Sequence, residues 1–198
     1  KDNFKRFNFE YGSVITEGRD ENIWIVERNN LIRLNPVTFD TLKIPLKSPL
    51  RGIASFDVYG FAQDSAGFFW VGALNTDGLI RINPLTGDWI RYRHNVNNPS
   101  SLAGHPITSL FFDSRNRMWV GTQTGLSRVI AFPNSDSIYC VNYFVKDGLI
   151  GDNIFGFVAS NSAKPKSPKV ASLLCNLKPN TFSASFERIP ITVTSSLP

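Results

Sequence analysis

Two histidines are the residues of this 198-residue chain with the most scope for acid–base or metal chemistry. His94 and His105 lie on either side of the segment 97–102, which reads NNPSSL, so both can face one surface. A zinc site takes three or four His, Cys or carboxylate ligands, and neither a third histidine nor a suitably spaced carboxylate is present. We therefore expect two loop histidines that share no ligand, with no catalytic residue, no metal site and no cofactor.

No other pattern in the sequence points to catalysis. The GxSxG sequence of a nucleophile elbow and the glycine-rich loop that holds phosphates are both absent. Cys140 and Cys175 lie 35 positions apart without a CxxC partner, so we expect free thiols rather than a metal site. Asp64 and Asp113 fall in turns, where a carboxylate typically caps backbone amides. Binding or structural functions are therefore favoured over an enzymatic one.

The composition is that of a folded domain. Hydrophobic residues make up 42% of the chain and charged residues 19%. This composition excludes a disordered chain, and the hydrophobic residues are numerous enough to form a sizeable core. The net charge is +5, but basic residues after position 160 in a Pro- and Ser-rich stretch supply most of it, so we expect no nucleic-acid partner. No apolar run approaches the ~18 residues that span a bilayer. No signal-peptide pattern is visible and the sequence begins with Lys1, so we expect a mature form or an internal fragment.

A tryptophan recurs in one local context and sets the period of the chain. Trp24, Trp70 and Trp119 are 46 and 49 residues apart, a period typical of propeller blades. We interpret them as core residues that fill the space between blades. An apolar-Arg-apolar segment follows each Trp. In two units an Asp also precedes the Trp by six positions, and a Gly or Asn precedes the Trp by three. These markers are Arg33, Arg81 and Arg128, with Asp64, Asp113, Gly67 and Asn116. We expect the arginines to be exposed or to bridge blades.

Each unit reads as four short strands separated by turns of Asp, Gly, Asn and Pro, without a helical period. Such a unit, repeated at this spacing, is typical of a β-propeller blade. The sequence therefore predicts an all-β fold, a partial β-propeller of four-stranded antiparallel blades at 12–52, 53–101 and 102–147, with a partial blade from 148. Because propellers close with about 4–8 blades, we expect an open arc that associates with further blades or with another copy of the chain.

The repeat ends near residue 158. In the next unit Ser160 stands at the expected Asp position and Lys166 at the expected Trp position, within a stretch whose two X-Pro steps disfavour a strand. We therefore divide the chain into propeller repeats at 1–158 and an irregular tail at 159–198. Residues 182–193 of the tail are compatible with one or two strands.

The third unit carries a family resemblance. The segments RYRH at 91–94, NNPSSL at 97–102, ITSL at 107–110, MWVGT at 118–122 and GLSR at 125–128 closely resemble the two-component regulator propeller repeat, and KDGL at 146–149 begins the next unit in the same style. The resemblance covers about 12–158. It implies a periplasmic sensor region of a hybrid two-component histidine kinase, of the kind common in Bacteroidetes, whose membrane span, kinase and output modules are not part of this chain. Glycan fragments are common signals in that family.

The resemblance, together with the absence of a catalytic motif from the sequence, leads to one functional hypothesis. The chain is a non-catalytic sensing module whose partner is an oligosaccharide or another small ligand. Loops on a rigid scaffold often carry binding residues, so the inter-blade loop is the candidate contact surface. Its candidate ligand-binding residues are Arg93, His94, Asn97, Asn98, Ser100 and Ser101.

Two alternatives stay open beside this hypothesis. The segment EGRDENIW at 17–24, followed by RLNP at 33–36, resembles streptogramin lyase propellers of the virginiamycin B lyase type, which use a His, acidic partners and Mg²⁺. No residue here matches that catalytic motif, and the NNPSSL segment favours the sensor family. The other alternative is a truncated propeller fragment with no independent function.

Overall fold

The computed structural model of this chain describes residues 7–9, 13–48, 50, 58–73, 78–132, 135–154, 157–159 and 170–172. The chain divides into two compact units, Lys1–Arg93 and His94–Pro198. Nearly all of the regular structure is β, with a 3-10 turn at Val145–Asp147. Among the described residues, no helix has the length and apolar character needed to cross a membrane.

Three four-stranded antiparallel sheets, each a simple meander, form the main part of the described fold. The first blade contains β1 (Val14–Glu17), β2 (Ile23–Val26), β3 (Asn30–Leu34) and β4 (Thr41–Pro45). The second contains β5 (Val58–Gln63), β6 (Phe69–Ala73), β7 (Gly78–Ile82) and β8 (Trp89–Tyr92). The third contains β9 (Ile107–Phe112), β10 (Met118–Thr122), β11 (Gly125–Ala131) and β12 (Ile138–Tyr143). The predicted all-β propeller of four-stranded blades is thereby confirmed.

A two-stranded sheet follows the third blade in the second unit. Here β13 (Phe157–Ala159) pairs antiparallel with β14 (Val170–Ser172), which lies within the segment that the sequence predicts as an irregular tail. The positions Ser160 and Lys166 and the stretch 182–193 lie outside the described residues. The division of the chain near residue 158 therefore stays a prediction.

The Asn-Pro-x-Thr segments at 35–38 and 83–86 form equivalent turns between the third and fourth strands. The side chains of Asn35 and Asn83 each accept a backbone N–H from two residues further on, at 2.8 and 2.9 Å. The residue after the Thr has a left-handed backbone in both turns, with φ of 64° at Phe39 and 73° at Gly87. A Cβ at position 87 would overlap the backbone oxygen of Pro45, so this turn requires glycine.

In the first unit, the two blades pack face to face through large apolar side chains. The rings of Trp24 and Phe69 have centroids 4.6 Å apart. Polar contacts close the same junction, since Lys47 Nζ lies 2.8 Å from Asp88 Oδ2 and Trp89 Nε1 donates to the backbone oxygen of Ser48 at 2.9 Å. The buried residues of the hydrophobic cluster between these two blades are Trp24, Val26, Leu31, Leu46, Leu50, Phe61, Phe69, Val71, Ile80 and Ile82.

In the second unit, the segment after β12 folds back over the third blade. Ile154 is buried with Trp119 and Leu126, and Leu149 packs against the same cluster. The backbone N–H of Ile154 donates to the backbone oxygen of Thr122 at 3.0 Å. A Cβ at Gly121 would overlap Ile154, so glycine permits this close approach.

Candidate ligand-binding loop

The loop at 94–101 is held in shape by its own polar groups. The backbone N–H of Asn95 donates to Ser101 Oγ at 2.9 Å, and Ser101 Oγ donates back to the backbone oxygen of Asn95 at 3.0 Å. Asn98 Oδ1 accepts the N–H of Ser100 at 3.0 Å. The Asn98 bond forms an Asx turn, in which a short polar side chain substitutes for a backbone partner, and the two Asn95–Ser101 bonds close the loop.

The same loop is attached to the outer strand of the third blade. The N–H of Cys140 in β12 donates to the backbone oxygen of Ser100 at 2.8 Å. The side-chain amide of Asn142 donates to the oxygens of Ser101 and Pro99, at 2.8 and 3.0 Å, and Asn142 Oδ1 accepts Ser127 Oγ at 2.8 Å. The loop is thus a rigid extension of the sheet.

Sequence reasoning missed Ser127 and Asn142, although one signal for them exists. Ser127 occupies the position before the repeated Arg, where the other two units have Ile32 and Ile80. A buried serine at an otherwise apolar repeat position needs a polar partner. That partner is the Asn142 side chain, and Ser127 Oγ also accepts the N–H of Ala103 at 2.8 Å.

The structure brings most of the predicted ligand-binding residues together on one loop. His94, Asn97 and Asn98 are exposed, whereas Ser100 and Ser101 are half-buried. Arg93 is exposed and is the last residue of the first unit. Within the described residues, the Asn97 amide and Ser100 Oγ make no hydrogen bond with another side chain or the backbone. Both groups therefore keep hydrogen-bonding capacity for a ligand.

The two histidines come close together in the second unit. Their ring centroids lie 6.2 Å apart and their planes are inclined by 49°. His94 Nδ1 lies 2.7 Å from the backbone oxygen of Leu102. His105 is exposed and precedes Pro106 across a cis peptide bond.

Each Trp of the repeat is a core residue whose indole N–H binds an aspartate. Trp70 Nε1 donates to Asp64 at 2.7 Å and Trp119 Nε1 donates to Asp113 at 3.0 Å. In the first blade the acceptor is Asp20, at 2.9 Å. Sequence comparison missed Asp20 because it precedes its Trp by four positions rather than six. As expected for turn residues, Asp64 and Asp113 also accept backbone N–H groups, each at 2.9 Å.

The repeated arginine lies opposite the Trp on the neighbouring strand in every blade, as the pairs Trp24–Arg33, Trp70–Arg81 and Trp119–Arg128 show. Its environment differs between blades. The Nε of Arg33 pairs with Asp20 at 2.9 Å, and its side chain is 42% exposed. Arg81 is instead buried, with its guanidinium 4.7 Å from the centroid of the Phe68 ring.

In the third blade, Arg117 pairs with the aspartate, with its Nε 2.6 Å from Asp113 Oδ2. Burial of the Asp113 carboxyl opposes its ionisation, but hydrogen bonds from Trp119 and Arg117 outweigh burial and hold the pKa below its usual value. The pKa of Asp20 is lowered in the same way, since the hydrogen bonds from Trp24 and Asn22 outweigh its burial. These carboxylates are therefore charged structural acceptors at neutral pH.

Two further features bear on reactivity. Cys140 is a buried free thiol, and burial raises its pKa to about 12, so no thiolate is present at neutral pH. Cys175 lies outside the described residues. In the first blade, a shallow concavity of about 190 Å³ lies beside the Arg33 side chain. Its lining residues are Asn22, Arg33, Asn35, Thr38, Asp40, Thr41 and Leu42.

Comparisons with known proteins agree with this architecture. Residues 101–124, which begin in the candidate loop, match the family model described as two component regulator propeller. Histidine kinase P4 of Formosa agariphila is 34% identical over 121 residues, which are 59% of this chain and 8% of that protein. The chain therefore spans a small part of this relative's length.

Two solved structures share the fold. The extracellular domain of a hybrid two component system from B. thetaiotaomicron superposes with a TM-score of 0.52 at 14% identity, over 73% of this chain and 20% of that one. Virginiamycin B lyase from Staphylococcus aureus gives a TM-score of 0.50 at 18% identity, over 74% of this chain and 45% of that one. At these identities the likeness concerns the fold alone. The match of the family model shows that residues 101–124 carry the two-component regulator propeller repeat, and the three meander sheets and the related kinase agree with it.

Proposed function

We propose that this chain is the sensing part of a periplasmic two-component signalling protein, and that it binds a small ligand without catalysing a reaction. The match to the two-component regulator propeller at 101–124 carries the proposal. The 34% identity over 121 residues to a protein named as a histidine kinase also supports it. A propeller region of this kind acts by presenting loops from rigid blades.

The ligand proposed for the loop is an oligosaccharide, bound by Arg93, His94, Asn97, Asn98, Ser100 and Ser101. Amide, hydroxyl and guanidinium groups pair readily with sugar hydroxyls because they supply both donors and acceptors. The Asn97 amide and Ser100 Oγ have hydrogen-bonding capacity to spare. The loop is held to β12 through Ser100 and Ser101, so little conformational freedom is lost when a ligand binds.

The experiment is a calorimetric screen of soluble oligosaccharides against the whole chain. For a glycan that binds, we expect Asn97→Ala and Ser100→Ala each to weaken the affinity by about fivefold or more, the effect of losing one hydrogen bond of ~1 kcal/mol. Asn29→Ala is the matched control, because Asn29 is likewise an exposed asparagine, between β2 and β3 of the first blade. All three variants should keep the stability of the wild type.

Two results would overturn the proposal. One is a glycan affinity that Asn97→Ala and Ser100→Ala leave unchanged, or a screen in which no glycan binds. The other is Mg²⁺-dependent cleavage of a streptogramin that is abolished by His94→Ala or His105→Ala, which would instead establish the lyase alternative.

A further inference from the structure

We propose that His94 and His105, which the sequence alone predicts to share no ligand, form a two-histidine site for a transition-metal ion of the zinc, copper or nickel class. The inference goes beyond the sensing function and does not depend on it. Two imidazoles that share one metal ion at about 2.0–2.1 Å per bond have ring centroids about 5–6 Å apart. The observed separation of 6.2 Å is close to this range, and both rings are exposed.

The hydrogen bond of His94 leaves its Nε2 atom available to bind a metal ion. The backbone oxygen of Leu102 is purely an acceptor, so the ring nitrogen 2.7 Å away, Nδ1, must carry the hydrogen. In the neutral ring Nε2 then holds the free lone pair. Metal-bound histidines usually have this arrangement, in which the second N–H donates to a carbonyl or carboxylate and fixes the ring orientation.

The backbone between the two histidines is anchored to the sheet. The N–H of Ala103 donates to Ser127 Oγ at 2.8 Å, and Thr124 Oγ1 donates to the oxygen of Ala103 at 3.2 Å. Gly104 packs so closely on the turn between β10 and β11 that a Cβ there would overlap Thr124 Oγ1. Because His105 follows this anchored segment directly, both ligands are positioned before the metal arrives, which reduces the entropic cost of binding.

The donor set determines the class of metal. Neutral imidazole nitrogens suit Zn²⁺, Cu²⁺ and Ni²⁺, whereas Mg²⁺ and Ca²⁺ take oxygen ligands. Within the described residues, no third His, Cys, Asp or Glu completes a cluster, so water occupies the remaining coordination positions. A site of this composition is open to solvent and to a further ligand.

Calorimetry of the whole chain with ZnSO₄ and NiCl₂ tests the site. The chain has two histidines, so any histidine-dependent binding belongs to this pair. We expect one ion per chain, with His94→Gln and His105→Gln each weakening the affinity about tenfold or more. The control is Val96→Ala, since Val96 is 84% exposed on the same loop and carries no ligand atom. Cys175→Ser should also leave binding unchanged, and MgCl₂ should give no heat.

Nuclear magnetic resonance of the histidine ring nitrogens gives a second readout. Without metal, we expect His94 as the Nδ1–H tautomer, and with Zn²⁺ the Nε2 resonance of His94 and one nitrogen resonance of His105 should both shift. A metal affinity that is unchanged in either His→Gln variant, or a shift confined to one ring, would overturn the proposal. Repeating the oligosaccharide titration with EDTA separates the two proposals, because sugar binding that survives EDTA supports the sensing function independently of the metal site.

Discussion

Trp70 donates its indole N–H to Asp64 Oδ2 across 2.7 Å, which satisfies the one polar atom of a side chain that is completely buried. Asp64 Oδ1 also accepts the backbone N–H groups of Ala66 and Phe68. The carboxylate therefore joins the turn before β6 to the core residue within β6. This is how a surface turn and a buried tryptophan come to recur together along the chain.

Replacing Asp64 by Ala should destabilise the chain by about 2–4 kcal/mol, because the Trp70 N–H and two backbone N–H groups all lose their acceptor. The measurement is the free energy of unfolding from urea titration. The matched control is Asp40→Ala, since Asp40 is an exposed turn residue whose carboxylate makes no hydrogen bond within the described residues. Equal losses in the two variants would refute a specific role for Asp64.

The stability of the third blade should depend on pH through Asp113. Its pKa is lower in the folded chain than its usual value of 3.8, so its ionised form stabilises the fold. That stabilisation is complete above about pH 5 and declines as the pH falls through the folded-state pKa. In urea titrations between pH 2.5 and 7, Asp113→Asn should therefore lower the free energy of unfolding most at neutral pH and progressively less in acid. Asp40→Asn should change the free energy of unfolding only slightly across this pH range. A constant difference for Asp113→Asn would contradict this linkage.

The repeat made the fold predictable because it rests on large residues at fixed positions. Trp24, Trp70 and Trp119 each lie on the second strand of a blade, so their spacing gives the length of the repeat and each one marks a blade. The hydrogen bonds within the turns were also predictable from the sequence, because Asp and Asn occupy turn positions where their side chains cap backbone amides.

Contacts between distant positions were not predictable in the same way. Asp20 bonds Trp24 from a different offset, so alignment of the repeats did not reveal it. Asn142 reaches the loop 41 positions away, and no local pattern marks such a partner. Phe39 adopts a left-handed φ of 64° where the second blade has glycine, a conformation that residue type alone argues against.

Two glycine substitutions should separate backbone strain from steric overlap. Gly67 and Gly87 both have positive φ, at 91° and 73°. A Cβ at Gly67 meets no atom within 4 Å, so Gly67→Ala should cost about 1–2 kcal/mol from φ alone. Gly87→Ala should cost at least about 1 kcal/mol more, because its Cβ overlaps the Pro45 oxygen and disturbs the junction between the first two blades. Equal urea midpoints for the two variants would show that the junction accommodates the added Cβ at Gly87 without a loss of stability.

The segment that folds over the third blade should contribute substantially to stability through Ile154. Its side chain is 2% exposed and packs against Trp119 and Leu126. Ile154→Ala removes buried methyl groups and leaves a cavity, so we expect a loss of about 2–4 kcal/mol in urea unfolding. Ile150→Ala is the matched control, because this isoleucine on the same segment is 66% exposed and should change stability by less than about 0.5 kcal/mol. If the two alanine variants lose the same small amount, the segment does not contribute to the core of the blade; a large loss confined to Ile154→Ala shows that it does.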